Sequence, residues 1–281
     1  MRFSKRSLKA FWELLRLEHG IMYGLGVLIG IFLGGGADLE LVVFGFLTAL
    51  FLQASAFAMN DYLDYEVDLA NKRLDRPLVR GDLSRRTALI SSLIFFPIGL
   101  LSAFLISLQA LLFALIVSIL GFAYNAKLKE LGLIGNAYVA FTMSAPFIFG
   151  GIISKFNYSV LLLSLIAFLS GLGREIMKGI EDIEGDALRN VKSIARVHGI
   201  EKAVKMSSLL FLFAVILSFL PPILVLEYYD LKYLIPVAIT DFMLISVALR
   251  LPKNPEKIPK FRKETLLAML FGLIGFLAGA F

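Results

Sequence analysis

The chain consists of long apolar stretches separated by short charged connections. A helix needs roughly 20 mostly apolar residues to cross the hydrocarbon core of a bilayer, and by that length the sequence predicts about nine spanning segments. Lipid offers no hydrogen-bond partner to backbone amides, so each segment is expected to be a helix. The segments are Leu17–Gly36, Leu41–Asn60, Thr87–Ser107, Gln109–Asn125, Ile134–Ser154, Tyr158–Lys178, Ala203–Val225, Leu231–Arg250 and Thr265–Phe281.

Composition supports a membrane protein with a single domain. Of the 281 residues, 58% are hydrophobic and 18% are charged, whereas soluble domains are about half apolar and a quarter charged. No polar connection is long enough for a separate domain, so residues 1–281 are predicted to form one all-α, multi-pass bundle. The absence of cysteine excludes disulfides and Cys-ligated metals, and two histidines are too few for a His-rich metal site.

The basic residues are distributed asymmetrically across this map. With nine segments, all of the 28 Lys and Arg residues except Lys155 and Lys232 lie on the side of the N-terminus. The positive-inside rule then places the N-terminus and the long connections in the cytoplasm, in a cell-membrane protein. The net charge of +6 therefore reflects topology, not a nucleic-acid partner. An interfacial helix before the first segment is predicted by a helical repeat of apolar residues, namely Phe3, Leu8, Phe11, Trp12 and Leu15.

Two acidic motifs stand out between the segments. Residues 60–68 read NDYLDYEVD and residues 178–186 read KGIEDIEGD. Asp64 and Asp68 correspond to Asp182 and Asp186 at an offset of 118 residues. Each motif follows an even-numbered segment, so both lie at the same membrane face. This arrangement predicts a weak internal repeat of a four-helix unit.

The chemistry of these motifs favours Mg²⁺ and an anionic substrate. On a continuous helix, Asn60, Asp64 and Asp68 share one face, and crowded carboxylates repel one another unless cations neutralise them. Oxygen ligands without His or Cys favour Mg²⁺. The predicted metal ligands are Asn60, Asp61, Asp64, Asp68, Asp182 and Asp186, and the four motif aspartates Asp64, Asp68, Asp182 and Asp186 are the predicted catalytic residues. Basic residues suited to diphosphate oxygens are Lys72, Arg73, Arg76, Lys127, Arg174, Lys178 and Arg189. Two such motifs at equivalent positions are hard to explain as chance helix caps.

With these motifs, nearly the whole chain resembles the UbiA superfamily of intramembrane prenyltransferases. That family carries NDxxDxxxD and DxxDxxxD motifs after its second and sixth helices. Further matches are Gln53, Ser55, Asn71, Arg76–Leu78, Tyr124–Lys127 and Gly135–Asn136. Residues 174–178, REIMK, resemble the archaeal branch that makes ether lipids. Gly179 departs from the family, which has Asp there; either Glu175 or Glu181 compensates, or the metal depends on Asp182 and Asp186 alone.

The resemblance implies a reaction. An allylic prenyl diphosphate would bind with Mg²⁺ at the two motifs, with its tail in the bundle or in a lipid-facing groove, and ionise toward an acceptor. The archaeal likeness implies geranylgeranylglyceryl phosphate, a membrane-lipid precursor, as that acceptor; the alternative is an aromatic acid such as 4-hydroxybenzoate. Tyr124 and His19 are further candidate substrate contacts, and the acceptor phosphate has candidate partners in Arg16, Lys127, Lys178 and Arg189. The 25 Phe residues supply dry walls, although no single Phe is assigned.

A transporter is the alternative from another functional class. Acids inside spanning segments mark ion or substrate paths in such proteins, usually near the midplane of the bilayer. Here only Asp241 lies well inside a segment, while the clustered acids lie at the membrane face. Transport is therefore the weaker hypothesis, and Asp241 is expected to bond Thr240 or a neighbouring helix.

Overall fold

The structure, a computed structural model, describes residues 5–188 and 190–280, and within these ranges it contains helices and no strands. The helices are α1 (Lys5–Leu15), α2 (Leu17–Leu33), α3 (Leu39–Leu63), α4 (Tyr65–Ala70), α5 (Arg85–Ile106), α6 (Leu108–Ala126), α7 (Leu133–Ile153), α8 (Tyr158–Glu181), α9 (Ile183–Leu188), α10 (Ile194–His198), α11 (Ile200–Ser218), α12 (Pro221–Leu224), α13 (Leu231–Arg250) and α14 (Ile258–Gly279). Short 3₁₀ turns cover Leu128–Leu131, Leu226–Tyr228, Leu251–Lys253 and Pro255–Lys257.

The all-helical, multi-pass architecture is confirmed, but the number of spans is not. Among the described residues, seven helical segments are long and apolar enough to cross a membrane, and an eighth arises if α1 and α2 form one bent span. The ninth expected segment lies within α14, which begins at Ile258. The first turns of α14 carry Lys260, Arg262 and Lys263, so its apolar part is short. A break near Pro221 also ends α11 before the predicted boundary at Val225.

The two halves of the bundle are joined where α2 crosses α7. A Cβ atom built on Gly30 would lie 2.3 Å from the carbonyl oxygen of Phe147, and one on Gly150 would lie 2.3 Å from the carbonyl oxygen of Val27. Only glycine permits backbones to approach this closely. On one side of the junction α3 packs against α2 and α5, and on the other α8 packs against α7 and α11. The crossing is thus a fixed point in the fold.

The chain enters the bundle through the amphipathic helix α1, which meets α2 at a bend of 46°. Leu8 and Trp12 are 60% and 46% exposed, whereas Leu14 is buried. This is the two-sided pattern expected of a helix at a membrane surface; Phe3 lies outside the described residues. Arg16 makes the bend with a left-handed backbone (φ 45°).

The intramembrane acid Asp241 bonds to a neighbouring helix. The Ser218 hydroxyl of α11 donates to Asp241 Oδ2 at 2.8 Å, whereas the Thr240 hydroxyl bonds to the carbonyl oxygens of Pro236 and Ala268. The expected bond to an adjacent helix is therefore present. The arrangement links α11 to α13.

Candidate active site

The two acidic motifs lie in segments with the same backbone path. We call residues 60–76 the first acidic arm and residues 178–194 the second acidic arm. Contrary to the expected continuous helix, α3 ends at Leu63 and α4 starts at Tyr65; likewise α8 ends at Glu181 and α9 starts at Ile183. The break residues Asp64 and Asp182 have φ/ψ values of −85°/0° and −97°/16°. Farther on, Lys72 and Asn190 share a left-handed backbone, with φ 52° and 55°. The arms therefore share the position of the helix break and of the left-handed residue at the 118-residue offset.

Buried ion pairs hold the first acidic arm in place. Asp61 is 2% exposed, and its Oδ1 atom accepts a hydrogen bond from Arg16 Nη2 at 2.7 Å. Arg76 Nη1 lies 3.3 Å from the same oxygen, and Arg76 Nε lies 3.5 Å from Asp68 Oδ2. The Arg16 guanidinium also stacks over the Phe57 ring, with Cζ 4.1 Å from the centroid. Asp61 therefore links the start of α2 to the loop after α4, as a partner of arginines.

A lysine from a third segment reaches the break in the first arm. Lys129, in the connection between α6 and α7, donates from Nζ to Asp64 Oδ1 at 2.6 Å. The neighbouring Glu130 carbonyl accepts a hydrogen bond from the backbone amide of Lys192 in the second arm at 2.9 Å. One short connection thus contacts both arms. It fixes their relative position from the side of α6.

The second acidic arm is held through its backbone: Arg196 donates from Nη1 to the carbonyl oxygens of Val191 at 2.9 Å and Asp186 at 3.4 Å. Asp182 is exposed and makes no side-chain hydrogen bond or ion pair within the described part of the chain, while Asp186 is half-buried. At the position equivalent to Asp61, a Cβ atom on Gly179 would lie 3.4 Å from Ser193 Cβ and 3.9 Å from Asp186 Oδ2. The residue equivalent to Arg76 is Ile194, which is 8% exposed in an apolar cluster. Arg262 of α14 donates a hydrogen bond from Nη1 to Glu181 Oε2 at 2.6 Å.

An apolar cavity opens beneath the arms. Its empty space, together with the open solvent at its mouth, measures about 790 Å³. Its walls come from α2, α3, α5, α6 and α7, and the polar lining includes Gln53, Asn125 and Tyr138. Tyr138 stacks on Tyr124 with ring centroids 5.0 Å apart. The lining on α6 ends at Asn125, just before the connection in which Lys129 bonds to Asp64 of the first arm and Glu130 bonds to Lys192 of the second, so the cavity opens toward both arms.

Several predicted substrate residues are engaged elsewhere. Arg174 donates to Thr265 Oγ1 at 3.3 Å and to the Arg262 carbonyl oxygen at 3.5 Å, so it ties α8 to α14. Arg73 forms two hydrogen bonds with Asp75, at 2.9 and 2.8 Å, which hold the pKa of the Asp75 carboxyl below its ordinary value. His19 is exposed and meets the edge of Phe57 at a centroid distance of 5.4 Å.

The remaining predicted residues lie around the arms. Asn60 is half-buried in the last turn of α3, whereas Lys72, Lys127 and Lys178 are exposed. Arg189 lies outside the described residues. Across residues 5–188 and 190–280, no three acidic or histidine side chains converge on one metal-binding point. The crowding of carboxylates expected from the sequence is therefore replaced by arms that face each other across the cavity mouth.

Lys129 is a site residue that the sequence did not single out. It lies two positions beyond the predicted Lys127, whose side chain is exposed and makes no ion pair within the described residues. A basic residue in a connection carries no periodic signal, so only the approach of this connection to Asp64 distinguishes the two lysines. Arg16 similarly pairs with an acid 45 residues away.

Comparisons with known proteins agree with this architecture. The model of the UbiA prenyltransferase family matches residues 24–278. The digeranylgeranylglyceryl phosphate synthase of Archaeoglobus fulgidus is 57% identical over 100% of this chain and 98% of its own. A solved structure concerning digeranylgeranylglyceryl phosphate synthase in membranes superimposes with a TM-score of 0.86 at 33% identity, covering 98% of both chains. A UbiA homolog from Archaeoglobus fulgidus bound to GPP and Mg²⁺ shares the fold, with a TM-score of 0.67 at 22% identity over 97% of this chain and 100% of that one.

Proposed function

The chain belongs to the UbiA prenyltransferase family, and from this we propose that it transfers a geranylgeranyl group from geranylgeranyl diphosphate to the hydroxyl of geranylgeranylglyceryl phosphate. The product would carry the second ether bond of an archaeal membrane lipid. The observation that carries the proposal is the 57% identity to a digeranylgeranylglyceryl phosphate synthase along the full chain. The two acidic arms above an apolar cavity supply the matching geometry.

The proposal includes one multi-pass domain with its acidic arms at the cytoplasmic face. The asymmetric distribution of Lys and Arg supports this orientation, since basic residues near spanning helices are retained on the cytoplasmic side. Both substrates would then reach the site from the cytoplasmic leaflet, with diphosphate and phosphate groups in water and isoprenoid chains in the bundle.

The residues of the arms fit Mg²⁺ as a cofactor. Their side-chain donors are oxygens only, which suits a hard cation, and exposed Asp182 has no competing partner among the described residues. Bound Mg²⁺ would neutralise diphosphate oxygens and so favour cleavage of the allylic carbon–oxygen bond. We assign its binding to Asn60, Asp64, Asp68, Asp182 and Asp186. Asp61 differs in role because Arg16 and Arg76 already occupy one of its oxygens.

The chain's own cations and cavity would carry out the rest of the chemistry. Lys129 lies at the cavity mouth, where its ammonium group would replace the bond to Asp64 with a bond to a diphosphate oxygen. Three further lysines are exposed around the mouth, namely Lys72, Lys127 and Lys178. A positive charge preorganised beside a departing diphosphate stabilises the charge that develops there. The apolar walls exclude water from the allylic cation until the acceptor hydroxyl forms the ether bond.

A transfer assay on purified protein in detergent tests the proposal. Labelled geranylgeranyl diphosphate and Mg²⁺ would be supplied with either geranylgeranylglyceryl phosphate or 4-hydroxybenzoate. We expect a Mg²⁺-dependent product with the glyceryl phosphate alone. A product with the aromatic acid alone would move the chain to quinone-type prenylation. No product with either acceptor from folded protein would contradict prenyl transfer and favour transport.

A further inference from the structure

The lining of the apolar cavity extends from the acidic arms to an aromatic pair far from them. Its lining on α6 runs from Asn125, beside the arms, to Phe113, which corresponds to about 18 Å at the rise of an α-helix. On α7 the lining runs in parallel from Tyr138 to Phe149. The side chains of Phe113 and Phe149 meet at the far end, with ring centroids 5.9 Å apart and planes inclined by 18°. A stacked aromatic pair therefore forms the floor.

The residues behind the floor are closely packed and leave no space for the aromatic pair to move into. Phe149 is 5% exposed and packs in an apolar cluster with Val27, Ile31 and Ile153. Just beyond it, α2 and α7 touch through their backbones at Gly30 and Gly150. Well-packed cores accept added atoms only at the cost of displaced side chains. The cavity is thus limited by two side chains in front of a rigid junction.

We propose that Phe113 and Phe149 set the maximum length of the prenyl chain that the protein transfers. The inference rests on the proposed function, and it names the donor class as prenyl diphosphates of up to four isoprene units. With the diphosphate fixed at the arms, each added unit extends the tail toward the floor. A fifth unit would have to displace the aromatic pair, whereas a shorter chain leaves part of the cavity unfilled.

The position of the floor makes length selection separable from chemistry. Phe113 and Phe149 lie about three turns or more from the arms along their helices. Neither is polar, and neither contacts the ions of the first acidic arm. Replacing them should therefore change which donor fits and leave bond cleavage intact. A purely structural role would instead lower turnover with every donor alike.

The experiment compares donors of three, four and five isoprene units in the transfer assay with a common acceptor. In Phe113→Leu and Phe149→Leu, we expect kcat/KM for the five-unit donor to rise relative to the four-unit donor by at least about tenfold, since pocket contacts of this size discriminate by that factor or more. Ala114→Leu adds bulk to the lining on α6 and should shift preference toward the three-unit donor. Turnover with the three-unit donor, which fits in every variant, serves as the folding check.

Phe141→Leu is the matched control. Its ring lies 6.5 Å from that of Phe113, but its side chain does not line the cavity, so the donor ratios should match those of the unmodified protein. Unchanged ratios in both floor variants and in Ala114→Leu would overturn the inference even if transfer itself is observed. Absence of transfer by the unmodified protein with all three donors would instead overturn the proposed function, and the length limit with it.

Discussion

Charged pairs hold the first acidic arm, whereas apolar side chains pack the second, although both arms follow the same backbone path. In the first arm, Asp61 and Arg76 are joined within a buried ion network. At the equivalent positions of the second arm, Gly179 and Ile194 pack beside Ser193 and an apolar cluster. Both members of the charged pair are thus replaced together.

This difference explains the departure from the family pattern at Gly179. The equivalent carboxylate, Asp61, is bound by Arg16 and Arg76, and the second arm lacks a counterpart to Arg76. An aspartate at position 179 would therefore lack the equivalent of Arg76 as a partner. What the arms retain in common are the aspartates at the helix break and one turn later. These shared positions are the ones we assign to the chemistry.

The largest predicted effect tests the shared positions. Asp64→Asn and Asp182→Asn should each lower the transfer rate by about 10³-fold, the upper scale for removing one preorganised electrostatic partner. Transfer assays on folded protein, checked by size-exclusion profile, measure it. The matched control is Glu184→Gln, an exposed acid of α9 that is not assigned to the site. Near-normal turnover in either Asn variant would contradict equal use of the two arms.

The second prediction tests the positions at which the arms differ. Asp61→Gly leaves Arg16 and Arg76 without their buried partner, so stability should fall by about 3 kcal/mol, as expected for breaking a buried ion pair. Adding Arg76→Ile makes the first arm more like the second and should cost less than the two single changes summed. Thermal unfolding of all three variants measures the coupling. Strict additivity would show that the two residues act independently.

A smaller effect is expected from Lys129, which lies between α6 and α7 and bonds to the first arm. Lys129→Met removes the cation bound to Asp64 and should raise KM for the prenyl diphosphate by about tenfold, in line with the loss of one charge-assisted hydrogen bond. Lys205→Met is the matched control because the Lys205 side chain is exposed and is not assigned to the site. If both variants raised KM equally, Lys129 would contribute only to the overall positive charge of the protein and not a specific contact.

Much of this architecture could be predicted from the sequence because lipid leaves few choices. Apolar runs of sufficient length have to be helices, so Leu231–Arg250 was located to the residue and the acidic motifs fell at equivalent places. The helix that was predicted to begin at Thr265 begins earlier, at Ile258, and the first turns of α14 mix charged and apolar residues. Helix existence follows from composition, whereas the exact ends depend on local charge and packing.

The helix breaks and side-chain partners of the site could not be predicted from the sequence, for a physical reason. The breaks at Asp64 and Asp182 carry no Gly or Pro, so periodicity predicted one continuous acidic face. The partners of Asp61 and Arg174 come from distant helices, and sequence spacing does not encode which helices become neighbours. The chemistry of the motifs could therefore be predicted from the sequence. Which carboxylates form buried ion pairs and which stay exposed could be determined only from the structure.

The smallest predicted effect comes from restoring the missing acid in the second arm. A Cβ atom fits at position 179, but the carboxylate of Gly179→Asp would lie near Asp186 without the equivalent of Arg76. Repulsion between two charges a few ångströms apart that are screened by water should lower stability by about 1 kcal/mol. Gly179→Asn has nearly the same shape without the charge, so thermal unfolding of both variants isolates the electrostatic part. If Mg²⁺ instead stabilised the Asp variant more than the Asn variant, position 179 would be a metal-binding position that this chain has lost, and the explanation by paired replacement would be wrong.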